Sequence, residues 1–412
     1  MNAPRPLCLA ALGVAALAVA ACGAEQPAGP AAASFELRAV AFPGGPGSGQ
    51  PHLSSGAAPV LSWLEPAGDD IVLRYAPFAG GAFGQSVEVT RGDDLFVNWA
   101  DLPSVQPITA DVVAAHWLKL APDSSGAYHI ATAVSRDGGA TFSAPVQLND
   151  DSAEAEHGFV RLFAWEGAIG AVWLDGRALA EWSFDEPDKL LGTSLRVAKL
   201  DYEGTVTERT VVDELVCDCC QPHVAMTSAG PLIAYRDRTP EEIRDIAVRR
   251  YRDGRWLEPV LAAVDGWHIE GCPVNGPAIA ADGERVAVAW FTAAEGRPRL
   301  RFAWSSDGAA SFAPALDLDT QGAFGQPSVL IERDGAAIVT WWRAATGEGM
   351  DLAIRSVGTD GALGEVRVLA HSAAAQPVDV PQVAKIGDEL LVVWTSLEGE
   401  GAVHALLAAH YR

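Results

Sequence analysis

Positive charge is the first thing this chain runs short of: 29 Lys and Arg face 53 Asp and Glu, for a formal net charge of −24 at pH 7. Such a chain is repelled by phosphate backbones and anionic lipid headgroups, which excludes a nucleic-acid partner and a membrane surface held by charge. Long apolar runs are missing as well. Beyond residue 21 no stretch reaches the roughly 20 apolar residues of a membrane-crossing helix, so the body of the chain is expected to sit in water. Cysteine is rare, six in 412 residues, and its placement matters more than its number. The length could hold two or three ordinary domains, but repeats break that expectation, so periodicity comes first.

What is present begins with Arg5, an apolar stretch over residues 7–21, and the run Val19-Ala20-Ala21-Cys22-Gly23. A basic start, a short apolar core and small residues before a cysteine read as a signal peptide, too short for a permanent span. The residues leading to Cys22 resemble the bacterial lipobox, which implies lipidation of Cys22 as the new N-terminus; ordinary signal cleavage nearby is the alternative. Gly23, where an Asp would retain the protein at the inner membrane, favours an outer-membrane destination. The expected organisation is therefore a signal peptide over 1–21, a flexible Ala/Gly/Pro tether over 22–33, and one domain over 34–412. The protein would be exported and held in the cell envelope through its lipid alone.

An apolar run ending in an aromatic recurs down the chain, with anchors at Trp63, Trp117, Trp173, Tyr235, Trp290, Trp341 and Trp394. Their spacings are 54, 56, 62, 55, 51 and 53 residues, which fits one four-stranded blade plus loops. Seven anchors predict an all-β fold, a β-propeller of seven four-stranded blades. Within a unit an inner strand opens near a Pro, as in Gln221-Pro222-His223-Val224 and Gln326-Pro327-Ser328-Val329. The last unit stops after three strands, and residues 35–40 form a strand without a blade. Adding that strand to the last unit would close the ring and hide two sheet edges.

Ser135-Arg136-Asp137-Gly138-Gly139-Ala140-Thr141-Phe142 resembles the Asp-box, S-x-D-x-G-x-T-[FW], of the sialidase-like (BNR-repeat) propellers. A second copy, Ser305-Ser306-Asp307-Gly308-Ala309-Ala310-Ser311-Phe312, departs at Ala309 and Ser311. The motif is a turn element in which the carboxylate accepts turn N–H groups and Gly permits positive φ. With the repeat, the resemblance covers most of residues 35–412. It implies a six-bladed sialidase fold as the alternative architecture, with three arginines gripping a substrate carboxylate, a Tyr nucleophile activated by Glu, and an Asp acid/base. This sequence has seven units, and Gln50-Pro51-His52-Leu53 stands where the family carries Phe/Tyr-Arg-Ile-Pro, so one arginine of the grip has no counterpart. The fold leaves three roles open: ligand binding or assembly first, a sialidase-like exo-glycosidase second, and a metal-handling protein third.

Unusual residues gather in loops expected at one mouth of the channel, where a ligand would bind. Leading into inner strands are His157, the cluster from Cys217 to His223, and the run from Trp267 and His268 through Cys272 to Asn275; following second strands are Asp175 with Arg177, Arg236-Asp237-Arg238, and Trp342-Arg343. Asp175, Arg177, Arg236, Asp237, Arg238 and Arg343 are the catalytic or anion-binding candidates, with arginines forking onto carboxylate or phosphate and aspartates available for acid/base work. Equally, they form ion-pair networks that lock the loops. His157, His223, Trp267, His268, Asn275 and Trp342 are the ligand-binding candidates, with Trp267 and Trp342 as platforms. The partner would be a glycan, a small anionic ligand or an envelope protein. His116 and His129 lie in strand patterns and read as structural.

Cys8 leaves with the signal peptide and Cys22 takes lipid, which leaves Cys217, Cys219, Cys220 and Cys272. In an oxidising envelope an even set points to disulfides: one bridge from Cys272 to one of the other three, and a local one within the cluster. Two readings compete with this. One is a Cu or Zn site built from the four cysteines with His223, His268 or His157; the other is a redox-active bridge. The disulfide reading requires no cofactor.

Overall fold

The structure is a computed structural model that describes residues 36–409, apart from 55, 57, 123, 125, 182–184, 186–189, 374–379 and 397–401. The expected signal peptide, Cys22 and the tether lie outside the described residues. Seven antiparallel sheets follow one another along the chain. Their inner strands are Gly49–Leu53, Ser104–Pro107, His157–Trp165, His223–Thr227, Ala278–Asp282, Ala323–Ile331 and Gln382–Ile386, in blades 1 to 7. All seven line a single central channel. The chain is a seven-bladed β-propeller, and the six-bladed alternative is set aside by the count of sheets.

Each second strand is covered on both faces by neighbouring blades, so it reads as a continuous apolar run rather than an alternating one. Gly230–Arg236 in blade 4 is buried at every position. Seven apolar clusters fill the seven gaps between adjacent blades. Each gap holds one anchor aromatic, from Trp63 between blades 7 and 1 to Trp394 between blades 6 and 7.

A buried indole or phenol keeps a polar atom that needs a partner, and in five gaps this is a carboxylate backed by an arginine. Trp173 donates to Asp175 (2.9 Å), which Arg177 holds at 2.7 Å. Tyr235 donates to Asp213 and Arg249 follows; Trp341 donates to Asp319 and Arg343 follows. Trp290 with Asp265 and Arg301, and Trp63 with Glu65 and Arg74, repeat the arrangement.

The two Ser-x-Asp segments fold into the same turn. Asp137 accepts the Thr141 N–H at 2.9 Å and its hydroxyl at 2.7 Å, and Asp307 does the same with Ser311 at 2.9 and 2.6 Å. Ala309 adopts φ 64° where the first turn has Gly139 at 93°. These bonds hold both carboxyls down to about 2, with the Thr141 and Ser311 hydroxyls first among the causes.

The strand Glu36–Val40 pairs antiparallel with Ala402–Ala409 over five residues, from Glu36 opposite Ala409 to Val40 opposite Ala405. It completes blade 7 as the outermost strand, beside strands from the other end of the chain. Deleting residues 36–40 is therefore expected to lower the thermal unfolding midpoint and promote association through the bared edge of Ala402–Ala409. Deleting only residues 23–33 should leave the midpoint unchanged. Circular dichroism melts with light scattering check both.

Candidate functional site

The Cys219–Cys272 disulfide joins the loops leading into the inner strands of blades 4 and 5, with 6.1 Å between the Cα atoms. Cys217 and Cys220 remain thiols, both buried, with sulfurs 2.6 Å apart. A second bridge within the cluster, expected from the even count, is absent from this arrangement.

Around it, most of the expected ligand residues hold the framework. Arg236 is 1% exposed and spends its guanidinium on the backbone carbonyls of Asn275, Arg244 and Phe291, all within 3.0 Å. It lies 4.7 Å over the Trp267 ring, so that indole supports an arginine rather than offering a sugar platform. Trp342 is 1% exposed in the core between blades 6 and 7, which removes the other platform. Asn275 joins blades 5 and 6, accepting the Gln326 N–H at 3.0 Å and donating to Phe324 O at 2.7 Å. Arg238 is forked onto Glu242, and Arg343 holds Asp319 and the Gln321 carbonyl.

Arg177 grips Asp150, Asp151 and Asp175, each at 2.7 Å. His157, fully buried, sits against the Tyr128 carbonyl (3.0 Å) and Asp151 (3.1 Å). Two groups among the described residues have the spacing to hold a cation: Cys217, Cys219 and Cys220, and Asp151, His157 and Asp175. The first is short of a donor while Cys219 is bridged to Cys272, and Arg177 already supplies charge to the second. Asp237, half-buried, is pushed up to about 6 by burial and then by Asp213. His268 is exposed.

Two residues with an unpartnered buried nitrogen, His52 and His223, line the central channel, a cavity of about 560 Å³ lined by inner-strand residues of all seven blades. Of the candidates read from sequence only His223 lines it. One tier of the wall is set by register, being the residue opposite the one that precedes each anchor aromatic. His52 faces Ser62, Arg161 faces Val172, His223 faces Ala234, Ser328 faces Thr340 and Gln382 faces Val393. Blade 2 instead sends Gln106 into the channel, because Ser104 bonds His116 at 2.8 Å, and blade 5 presents the apolar Ile279, Ala280 and Ala281.

In blades 1, 3 and 6 the same bulge turns these side chains inward. The register shifts just before His52, Arg161 and Ser328, and the bulged residues Gln50, Phe159 and Gln326 take φ of 53°, 55° and 53°. Bulges re-aim a side chain at the cost of one unpaired residue.

Arg161 makes no ion pair among the described residues; its Nε donates to Pro222 O at 3.3 Å. Burial pulls its pKa down to about 10, which leaves it charged at neutral pH. Burial and the Arg161 charge hold His116 and His223 at about 3 and His52 well below the usual histidine range, so all three are neutral. His52 Nδ1, His116 Nε2 and His223 Nδ1 are buried without a hydrogen-bond partner. The wall thus offers one bare cation among neutral donors and acceptors. No Asp, Glu or Tyr lines the channel among the described residues.

The carboxyl that acts electrostatically on Arg161 is Asp101, 1% exposed, which accepts the Phe159 N–H at 2.8 Å and thereby caps the bulge that carries Arg161. Asn275 caps the blade 6 bulge through Gln326 in the same way. Glycine precedes each capped residue because a Cβ at Gly158 or Gly325 would fall within 1.9 or 2.3 Å of the capping side chain. Asn275 also donates from its amide nitrogen, whereas Asp101 Oδ2 has no partner. Burial, opposed by the Phe159 N–H and Arg161, raises Asp101 to about 7. Held neutral, it can donate as Asn275 does.

A carboxyl raised on folding stabilises most below its unfolded pKa near 4, and that contribution is lost as pH rises through about 7. Asp101→Asn is expected to remove this loss, so the variant should gain on the wild type between pH 4.5 and 7.5. Urea unfolding at both pH values checks it; a constant difference would contradict a neutral Asp101.

No family model matches the chain, and no curated protein matches it either. Among solved structures it is similar to polysaccharide lyase Uly1, at 8% identity and a TM-score of 0.51, over 88% of this chain and 89% of that one. It is also similar to a Mycobacterium tuberculosis puromycin-hydrolyzing peptidase, at 13% identity and a TM-score of 0.50, over 87% of this chain and 51% of the peptidase, about half its length. The NanB sialidase of Streptococcus pneumoniae matches at 8% identity and a TM-score of 0.44, over 89% and 93% of the two chains. At such identities the likeness is one of architecture: the chain has the β-propeller fold, and its structural neighbours include sialidases and other propeller enzymes.

Proposed function

We propose that this protein is an exported, lipid-anchored β-propeller that binds a small anionic ligand, such as an acidic sugar, in its central channel. The observation that carries the reading is Arg161, a half-buried guanidinium in the channel wall without a carboxylate partner, accompanied there by the unpartnered imidazole nitrogens of His52 and His223. A cation drawn partly out of water without a counter-charge is costly, and an oxyanion supplies what is missing: a charge-assisted bond from the guanidinium and an acceptor for His N–H groups. The cavity, about 560 Å³, lies in the range of small-molecule sites. Binding is favoured over hydrolysis because glycoside cleavage uses two carboxyl groups flanking the bond, and the described channel wall has none. Nor do Arg177, Arg236, Arg238 and Arg343 form a three-arginine grip, since each is spent on framework partners.

Titration calorimetry with sialic acid and glucuronic acid, against neutral glucose and galactose, tests the site. The acids are expected to bind and the neutral sugars not, and Arg161→Gln should weaken binding roughly 10- to 100-fold, the worth of one charged hydrogen bond. Binding should also tighten as pH falls from 7 to 5, because a bound anion raises the pKa of the neutral histidines beside it. Equal affinity for neutral sugars, or full affinity in Arg161→Gln, would overturn the channel reading.

Anchoring rests on the run from Val19 to Gly23, and an outer-membrane location on Gly23. Because the acyl chains would hold an otherwise water-borne acidic domain, Cys22→Ala is expected to abolish lipid labelling and move the protein into the soluble fraction. Membrane retention of that variant would contradict the anchor.

A further inference from the structure

The four cysteines of the mature chain are neither four free thiols nor two bridges. A disulfide with one exposed end, between half-buried Cys219 and exposed Cys272, lies beside a buried dithiol, Cys217 and Cys220. The sulfurs of Cys217, Cys219 and Cys220 lie within 4.8 Å of one another. Arg244, itself fixed on Glu242 at 2.8 Å, places Nη1 3.5 Å from the Cys217 sulfur. On the outer side, Cys272 is exposed and a side chain built on Gly271 would meet nothing within 4 Å.

We propose that these residues form a thiol–disulfide exchange site, in which the buried Cys217/Cys220 pair reduces the Cys219–Cys272 bridge and delivers Cys272 to the surface as a free thiol. In the first step the Cys217 thiolate attacks the Cys219 sulfur. The Cys217–Cys219 bond forms, the Cys219–Cys272 bond breaks, and the electron pair leaves on Cys272, which takes a proton from water. In the second step Cys220 attacks the Cys217 sulfur, closing Cys217–Cys220 and returning Cys219, which takes the proton that Cys220 gives up. The buried pair is oxidised and the Cys219/Cys272 pair reduced, with no outside oxidant.

Three features favour this direction. The hydrogen bond from Cys220 comes first in pulling Cys217 down to about 6, with Arg236 and Arg244 adding to it, so the attacking thiolate is populated at neutral pH. Cys220, with burial as the main cause, is held well above the thiol range, so it waits as the second nucleophile. The leaving thiolate on Cys272 is the one that water reaches. Exchange also cuts the covalent link between blades 4 and 5, next to Pro222 and His223 at the channel wall, a consequence independent of what the channel binds.

The test uses the mature lipidated protein in chelator, adjusted with a dithiol reductant to two thiols per chain, pulsed under native conditions with a maleimide and mapped by peptide mass spectrometry. Label is expected to accumulate on Cys272 while a Cys217–Cys220 bridge appears. Cys217→Ser should slow Cys272 labelling at least tenfold. Cys220→Ser should stop at a Cys217–Cys219 bridge with Cys272 still labelled. The wild-type rate should rise with pH about a midpoint near 6, and Arg244→Gln should move that midpoint upward, a readout that does not depend on the serine variants folding. If the wild type keeps Cys219–Cys272 intact and Cys272 unlabelled, or if Cys272 is labelled equally fast in folded Cys217→Ser, the exchange site is wrong.

Discussion

The ring depends on burying one aromatic side chain in each gap between blades while satisfying its polar atom. Burying an indole is favourable only if its N–H finds an acceptor. In this chain the acceptor is repeatedly a carboxylate, which then needs a cation of its own. Trp173 with Asp175 and Arg177, and Trp341 with Asp319 and Arg343, show the full chain of consequence: apolar burial fixes an acid, and the acid fixes an arginine. Five of the 29 Lys and Arg are held in this way, in a chain that carries 53 acids. An arginine that lines the channel outside such a network is therefore conspicuous, and Arg161 is that arginine.

The parts of the fold written locally were legible in the sequence. An apolar run ending in an aromatic every 51 to 62 residues gave the blade count, because the anchors must recur once per gap. The unpaired strand near the N-terminus and the three-stranded last unit gave the closure, because open edges have to be covered. A link from Cys272 to the cluster followed from two segments that both precede adjacent inner strands; which cysteine it would meet did not.

The loop residues singled out in the sequence and the channel wall proposed to bind lie in different layers, and there is a physical reason why the second escaped notice. Loops rich in Arg, Asp, Cys and Trp look like binding residues, but their partners lie far along the chain and cannot be seen from one segment. Arg236 is satisfied by carbonyls 39 and 55 residues away. The channel wall escaped notice because its orientation is set by a bulge with positive φ at Gln50, Phe159 and Gln326, residues with no marked preference for that conformation. A partial signal existed: His52, His223 and Ser328 each follow a Gln-Pro pair, and Gln382 follows a Val-Pro-containing run, so polar residues after the inner-strand proline mark one tier. Arg161 has no such proline before it, and only the shared register places it there.

The paired caps at Asp101 and Asn275 show how that tier acquires its charge. Both seat a bulge by accepting one backbone N–H, and an amide suffices in blade 6, so the bulge alone does not require an ionisable group in blade 3. What differs is the neighbour: Ser328 stands on the blade 6 bulge and Arg161 on the blade 3 bulge. Each of Asp101 and Arg161 favours the charged form of the other, while burial opposes both. With Asp101 held near 7, the arginine is uncompensated in the lower part of the neutral range and becomes progressively offset above it. The net charge of the channel wall is then set by a proton on a residue outside the cavity, and an anion bound to Arg161 would compete with that carboxylate for the same positive charge.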